Sequence, residues 1–259
     1  TREEWDQLEP YQWPTGNFPR RNIVPVNPLS HGATVSALYP LILNSGRIRD
    51  QWHTMTRTGY VARLMQHIAE PFVEVCPADA VRFSLCDGQL ARISSPRGVM
   101  VVRVRINDGI REGEAFAPMH WNAEFSRQGK VNALVEGRCD PVSGQPESKQ
   151  TAVRILPWQP AWQGELYARE WPEMPSSAYW WRKASRLTVA GDQPLLSWVM
   201  DYAGVRGWQL HVAQTGERSS VLAWHEGQLM LGFWEGTALP ALAHTVIEAA
   251  FQSPPVLAS

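Results

Sequence analysis

The sequence predicts a mainly β protein: a closed or nearly closed β-barrel with inserted helices, followed by a small α+β unit. Two observations carry the barrel. Short apolar runs bounded by glycine, proline or aspartate recur from Val35 to Leu156, and only two stretches in that span have helical character. A third observation, a strand hairpin flanked by two apolar-periodic helices near the C-terminus, carries the second unit.

In chain order, residues 1–34 hold "DQLEPYQWPTGNFPRRNIVPVNPLSHG", five prolines with little periodicity, and read as an entry segment packed on the barrel. "VSALYPLILN" reads as a buried strand. "GYVARLMQHIAEP" places Val61, Leu64, Met65 and Ile68 at helical spacing and is stopped by Pro71. "FVEV" is a short strand, and "PADAVRFSLCDG" a brief helix with Pro77 in its first turn and Gly88 beyond its end. "QLARISS" and "VMVVRVRIN" form a hairpin across "PRG"; Val102, Val104 and Ile106 alternate with Arg103 and Arg105, so one face is buried. "DGIREGEAFAPMHW", "KVNALV" and "TAVRIL" supply three further strands, completing a barrel over residues 35–156.

The segment 157–175, rich in tryptophan and proline, reads as a bridge, and residues 176–259 as the α+β unit. There "DQPLLSWVMDYAG" is a helix with Asp192 as N-cap, and "SSVLAWHEGQLMLGFWEG" a hairpin turning at Glu226-Gly227. "TALPALAHTVIEAAF" is a helix with Leu239, Leu242, Val246, Ile247, Ala250 and Phe251 on its apolar face. Trp162, Trp171, Trp180 and Trp181 are expected to fill the junction with the barrel.

Composition narrows the function. A net charge of -1 supplies no global field for a nucleic-acid backbone, and no basic block reads as a membrane patch. The expectation is therefore no nucleic acid and no membrane. Lysine occurs only as Lys130, Lys149 and Lys183, the other basic residues being arginines; this suits fixed contacts to oxyanions, or equally a biased genome. Cys76, Cys86 and Cys139 show no paired spacing, so no disulfide framework, zinc site or iron-sulfur site is legible and no metal ligand is assigned. No signal peptide or membrane-length apolar run is present, which points to the cytoplasm; a start at Thr1 points to a piece of a longer chain.

The chemistry concentrates in "SGRIRDQWHTMTRTG", residues 45–59, which follows directly on an apolar strand and carries three arginines, three threonines, a tryptophan and a histidine. A strand ending in Ser45-Gly46 can turn sharply, and exposed N–H groups beside Arg47 and Thr54 can bind a diphosphate. Trp52 offers a flat face to a heterocycle and His53 a donor or acceptor at its edge; packing of both under the barrel mouth is the competing reading.

"LNSGRIRDQWHTMTRTG", "PFVEVCPADA", "EAFAPMHW", "VNALVEGRCDPVSGQPESKQTAVRI" and the approach "YQWP" together resemble the C-terminal domain of molybdopterin-guanine-dinucleotide oxidoreductases, most of all the assimilatory nitrate reductase branch. The resemblance runs in order from about Tyr11 to Ile155. It implies a double-psi β-barrel that caps the cofactor, with Ser45, Gly46, Arg47, Gln51, Trp52, His53, Thr54, Asn132 and Lys149 lining the dinucleotides. Read without the family, Asn132 is a turn residue and Lys149 a solvated one. His120 and Trp121 in "PMHW" are candidates for a substrate funnel. Ser45 stands where many relatives have threonine, and Gln51 where periplasmic-type relatives have histidine; the first keeps a hydroxyl and the second a donor.

The cofactor implied is bis(molybdopterin guanine dinucleotide) molybdenum, with an iron-sulfur cluster in regions of the parent that lie outside this chain. No catalytic residue is assigned here. The implied partners are the rest of the parent catalytic subunit and an electron-donor protein or domain. Two alternatives remain open: the same cap of a formate dehydrogenase, and a free-standing barrel acting as a binding or adaptor module.

Overall fold

The computed structural model describes residues 32–183, 186–238 and 244–252. The "YQWP" approach, most of the entry segment 1–34, and Leu239 and Leu242 of the expected helical stripe lie outside the described residues. Six strands close into a barrel: β1 (Leu41–Gly46), β2 (Phe72–Val75), β3 (Leu90–Ser94), β4 (Val99–Ile106), β5 (Glu114–Pro118) and β6 (Thr151–Pro157). Around the barrel the order is β1-β5-β2-β4-β3-β6, with β1/β5 and β2/β4 parallel and the other neighbours antiparallel. Inward residues at alternate positions, among them Leu41, Leu43, Val73, Val75, Ile93, Val102, Val104, Val153 and Ile155, make one core.

The register decides which loops meet. Gly46 pairs with Pro118, Leu43 with Thr151, Glu74 with Phe116 and Ser94 with Arg154. The loops 47–71, 95–98 and 119–150 therefore all leave the barrel at one end, here called the open end. The segments 76–89 and 107–113 leave at the other. The second set contains helix α2 (Pro77–Arg82), whose N-cap Cys76 accepts from Asp79 N–H through its sulfur at 3.4 Å, with Pro77 at the start of the helix.

Two expected elements differ at the open end. The helix read across 59–70 is a 3-10 turn (Thr58–Tyr60) followed by a single turn, α1 (Ala62–Met65). Only Met65 is buried there, so the apolar spacing had too little to pack against to extend the helix. "KVNALV" is a 3-10 turn (Val131–Ala133) rather than a strand, because Val131 and Leu134, three residues apart, both plug the barrel core. Asn132, between them, is left exposed at the mouth.

The second sheet has the order β10-β11-β12-β7-β9-β8 and is antiparallel throughout. Its strands are β7 (Trp162–Ala168), β8 (Tyr179–Lys183), β9 (Arg186–Gly191), β10 (Gln209–Thr215), β11 (Arg218–His225) and β12 (Gln228–Gly236). Helix α3 (Leu196–Val205) packs on β10 to β12, and α4 (His244–Gln252) on β12. The segment 157–175 is thus not a plain bridge, since it contains β7, a central strand. Proline and tryptophan density hid a strand whose pattern is buried at Trp162, Gly164, Glu165, Leu166 and Tyr167.

A β-carbon at Gly164 would lie 2.3 Å from the Trp234 carbonyl oxygen, so Gly164→Ala should lower unfolding stability by about 1 to 3 kcal/mol in a urea titration. The hairpin turns as expected at Glu226 (φ 49°) and Gly227 (φ 73°), both left-handed. Asp192 is not the cap of α3: the N-cap is Leu195, buried at 2% exposure, and burial of that residue displaces the start of the helix. On α4 the inward side is His244, Ile247, Glu248 and Phe251, while Val246 and Ala250 are exposed.

The tryptophans divide between two jobs. Trp181 joins Leu90, Val101 and Ala190 in an apolar cluster between the barrel and the second sheet, with Trp158 and Tyr179 against it. Trp162, Trp171 and Trp180 pack with the second sheet's own core instead. Val101, on the nominal solvent face of β4, is consequently fully buried, and Ile106, expected inside, is 38% exposed. Strand β8 is also stitched to the open-end loops: Arg127 N–H donates to Trp180 O at 3.1 Å and Arg182 N–H to Phe125 O at 2.8 Å. Among the described residues no helix is long and apolar enough to cross a membrane.

Candidate ligand-binding end of the barrel

Strand β1 delivers the 47–54 loop to the open end, and the loop is held from beneath. Gly46 is required where the strand ends, because a β-carbon there would meet the Phe116 ring at 2.6 Å. Arg47 is exposed with its guanidinium 5.3 Å from the Trp52 ring centroid; Trp52 is 54% exposed and meets His53 edge-on at 4.7 Å. Thr54 is exposed as well. Arg49 is engaged by Asp50 at 2.8 Å, and His67 reaches the same carboxylate at 2.8 Å. The Arg49 hydrogen bond, above all, holds the Asp50 carboxyl below its usual range.

Two expected contacts are turned inward. Gln51 is 5% exposed, its amide nitrogen donating to Leu64 O and its oxygen accepting from the Thr58 hydroxyl at 2.7 Å. That hydroxyl in turn accepts from Trp52 N–H at 3.2 Å. Ser45 is 4% exposed and its hydroxyl donates to Ser148 O at 2.6 Å. The side chains of both residues are spent on the loop itself, because a buried polar group must find its partner inside the protein.

The later segments return to the same place. Lys149 is exposed and its ammonium donates to Ser45 O, which puts it at the root of the loop. Asn132 stands exposed on its 3-10 turn beside the β3–β4 hairpin; there Ser95 Oγ donates to Leu134 O at 2.7 Å, and a β-carbon at Gly98 would lie 2.5 Å from Ala133 O. Arg47, Trp52, His53 and Thr54 from the 47–71 loop, and Asn132 and Lys149 from the 119–150 loop, are thus brought to one end of the barrel. The donor set, two cations, an amide and an indole face, can bind an oxyanion chain carrying a flat heterocycle.

His120 and Trp121 correct the funnel expectation, for both are interior residues, 0% and 3% exposed. Trp121 packs with Met55, Met65 and Phe125. His120 accepts from Ile48 N–H at Nε2, 2.9 Å, and its Nδ1 lies 2.5 Å from His53 O. Burial, reinforced by the charge of Arg47 and opposed by the bond to His53, holds the imidazole below its ordinary value. Asn122 adds a bond from Nδ2 to Thr54 O at 3.0 Å. Sequence reasoning did not single out Met55, Thr58 or Asn122; the only available signal was their position inside or opposite a dense polar loop. Cys76 is buried beside Asp79, and Cys86 and Cys139 are exposed thiols.

Residues 41–152, which run from the first barrel strand to the start of the last, match the family described as the molydopterin dinucleotide binding domain. A nitrate reductase of Klebsiella oxytoca is 51% identical over 272 aligned residues, covering 98% of this chain and 31% of the relative. The assimilatory nitrate reductase catalytic subunit of Bacillus subtilis is 33% identical over 136 residues, 52% of this chain and 19% of the relative. The F420-dependent formate dehydrogenase subunit alpha of Methanocaldococcus jannaschii is 35% identical over 117 residues, 45% and 17% respectively. The chain spans about a third or less of the length of these relatives. The matched span holds β1 to β5, the start of β6 and the loops of the open end, and it is this part of the chain that matches the molydopterin dinucleotide binding domain family.

Proposed function

We propose that this chain is the cofactor-capping portion, C-terminal in its parent, of a molybdenum-dependent nitrate reductase, and that it binds the molybdopterin guanine dinucleotides at the open end of its barrel. The observation that carries the reading is the convergence of Arg47, Trp52, Asn132 and Lys149 at that end, inside the span that matches the family. The residues fit the group. Arg47 suits a diphosphate, Trp52 a heterocycle face, and Asn132 the paired donor and acceptor edge of a pterin or guanine. Lys149 spends one N–H on Ser45 O and keeps its others for a phosphate. Gly46, His53 and Thr54 contribute backbone and edge contacts, and Ser45 and Gln51 shape the loop.

When bound, the molybdenum group supplies two-electron oxygen-atom transfer from nitrate, giving nitrite; this chain contributes binding, orientation and exclusion of water. The similarity to the Bacillus assimilatory subunit supports nitrate assimilation in the cytoplasm. The two parallel pairs, β1/β5 and β2/β4, support a barrel of the double-psi type. A formate dehydrogenase cap is the second reading, supported by the Methanocaldococcus relative; the 51% identity over nearly the whole chain favours nitrate.

Mass spectrometry of the full-length parent, together with nitrite production from a reduced viologen donor, tests the proposal. Bound guanine dinucleotide with nitrate-dependent turnover is the expected result. Formate oxidation without nitrate reduction would select the second reading, and absence of pterin would leave a binding or adaptor module.

The second sheet suggests a division of labour, with residues 162–252 holding an electron-donor domain or protein near the cap. Removing that unit from the full-length enzyme should preserve viologen-driven activity and impair activity with the natural donor. Equal loss with both donors would reduce the unit to a stabiliser of the barrel, to which β8 is already stitched.

A further inference from the structure

We infer that His120 is a positioning residue for the ligand loop: its neutral ring, buried under the loop, fixes the arc from Ile48 to His53 and so sets how Arg47 and Trp52 are presented. The inference rests on the dinucleotide reading for its functional consequence, not for the geometry. Nε2 accepts from Ile48 N–H at 2.9 Å, so it carries no proton; Nδ1, 2.5 Å from His53 O, must then donate. One tautomer satisfies both bonds. The ring is wholly buried, whereas Arg47, Trp52, His53 and Thr54 above it are exposed, so the histidine touches the loop and not the ligand surface.

The clip acts where the backbone most needs it. His53 and Met55 have φ of 42° and 61°, left-handed values that are strained for a non-glycine residue. The His53 carbonyl is the acceptor for His120, and the next carbonyl, Thr54 O, is the acceptor for Asn122. Two neighbouring side chains of the segment after β5 thus hold two neighbouring carbonyls of the segment after β1. Both bonds are made within the chain and use no ligand atom, so they lower the cost of ordering the loop for binding.

Protonation would undo the clip. It places a second N–H at Nε2, facing the Ile48 N–H, and Arg47, the charged group that acts on the ring, is a cation and offers no compensation. Because the folded value lies below the unfolded one, the closed loop is fully stable above about pH 6.5 and loses stability as pH falls through the lowered value.

Amide hydrogen exchange on the chain as it stands tests the inference without the cofactor. In His120→Leu, protection of the Ile48 amide should drop about tenfold or more. His120→Gln, which can place an acceptor near the Nε2 position, should restore much of it, and Val153 in the barrel ladder should be unchanged in both. In the unaltered chain, nitrogen-15 NMR should show the Nδ1–H tautomer, and protection at Ile48 relative to Val153 should hold above about pH 6.5 and fall as pH is lowered below it. These readouts stand even if the leucine variant fails to fold. Undiminished Ile48 protection in His120→Leu, or an Nε2–H tautomer, would overturn the inference. In the full-length parent, His120→Leu should lower dinucleotide content more than His120→Gln. A disordered loop with full dinucleotide content would overturn the link to the cofactor while leaving the clip intact.

Discussion

Replacing Arg47 by alanine in the full-length parent should empty much of the enzyme of its dinucleotide while leaving the barrel folded. Arg47 is exposed at the mouth, carries no carboxylate partner among the described residues and leans on the Trp52 ring at 5.3 Å, so its removal strands no buried charge among them. What is lost is a charge-assisted contact to an oxyanion, worth about 1.5 to 3 kcal/mol, or a weakening of roughly 10- to 150-fold. Arg47→Lys should recover only part of it, because an ammonium lacks the planar fork. Dinucleotide per protein, by mass spectrometry, and the thermal midpoint are the paired measurements. Full dinucleotide content in Arg47→Ala would remove this residue from the site.

Arg186→Met in the second sheet should be the most destabilising of the substitutions considered. Glu165 is 2% exposed, and Arg186, itself 8% exposed, lies 3.5 Å away. His244 is 3.2 Å from the same carboxylate, and Tyr167, whose hydroxyl burial pushes up to about 12, lies 3.3 Å from it and 3.2 Å from Arg186. Burial raises the Glu165 carboxyl, and Arg186 is the first influence opposing that rise. Removing the guanidinium leaves a buried carboxylate with weaker partners, a loss of about 3 to 5 kcal/mol. The double substitution Arg186→Met, Glu165→Leu should recover most of that loss, since no charge is then stranded. Urea titrations of the three proteins decide it; a single-variant loss below about 1 kcal/mol would mean that the pair is solvated.

The barrel was legible because its strands bury one face in a pattern of period two: Val102 and Val104 announce β4, and "PRG" announces its hairpin. Where both faces are buried the pattern failed. Val101 is covered by the second sheet and β7 is central in its own, and neither fact is local to the residues concerned. The apolar spacing across 59–70 found too little to pack against to extend a helix, and the strand pattern at 130–135 gives way to a 3-10 turn in which Val131 and Leu134 fill the barrel mouth. In the candidate site, residue types indicated chemistry better than orientation. Arg47, Trp52 and Lys149 face outward as donors should, whereas Ser45 and Gln51, equally polar, face inward to hold the loop. A histidine beside a polar loop looks the same in sequence whether it meets a ligand or supports the residues that do; His120 is fully buried beneath the loop.

A crystal structure of the full-length, cofactor-loaded parent is the most direct measurement of the central claim. Dinucleotide phosphates and heterocycles are expected within hydrogen-bonding or stacking distance of Arg47, Trp52, Asn132 and Lys149, at the end of the barrel where β1 finishes. A dinucleotide seated at the opposite end, against α2 and the 107–113 turn, would contradict it.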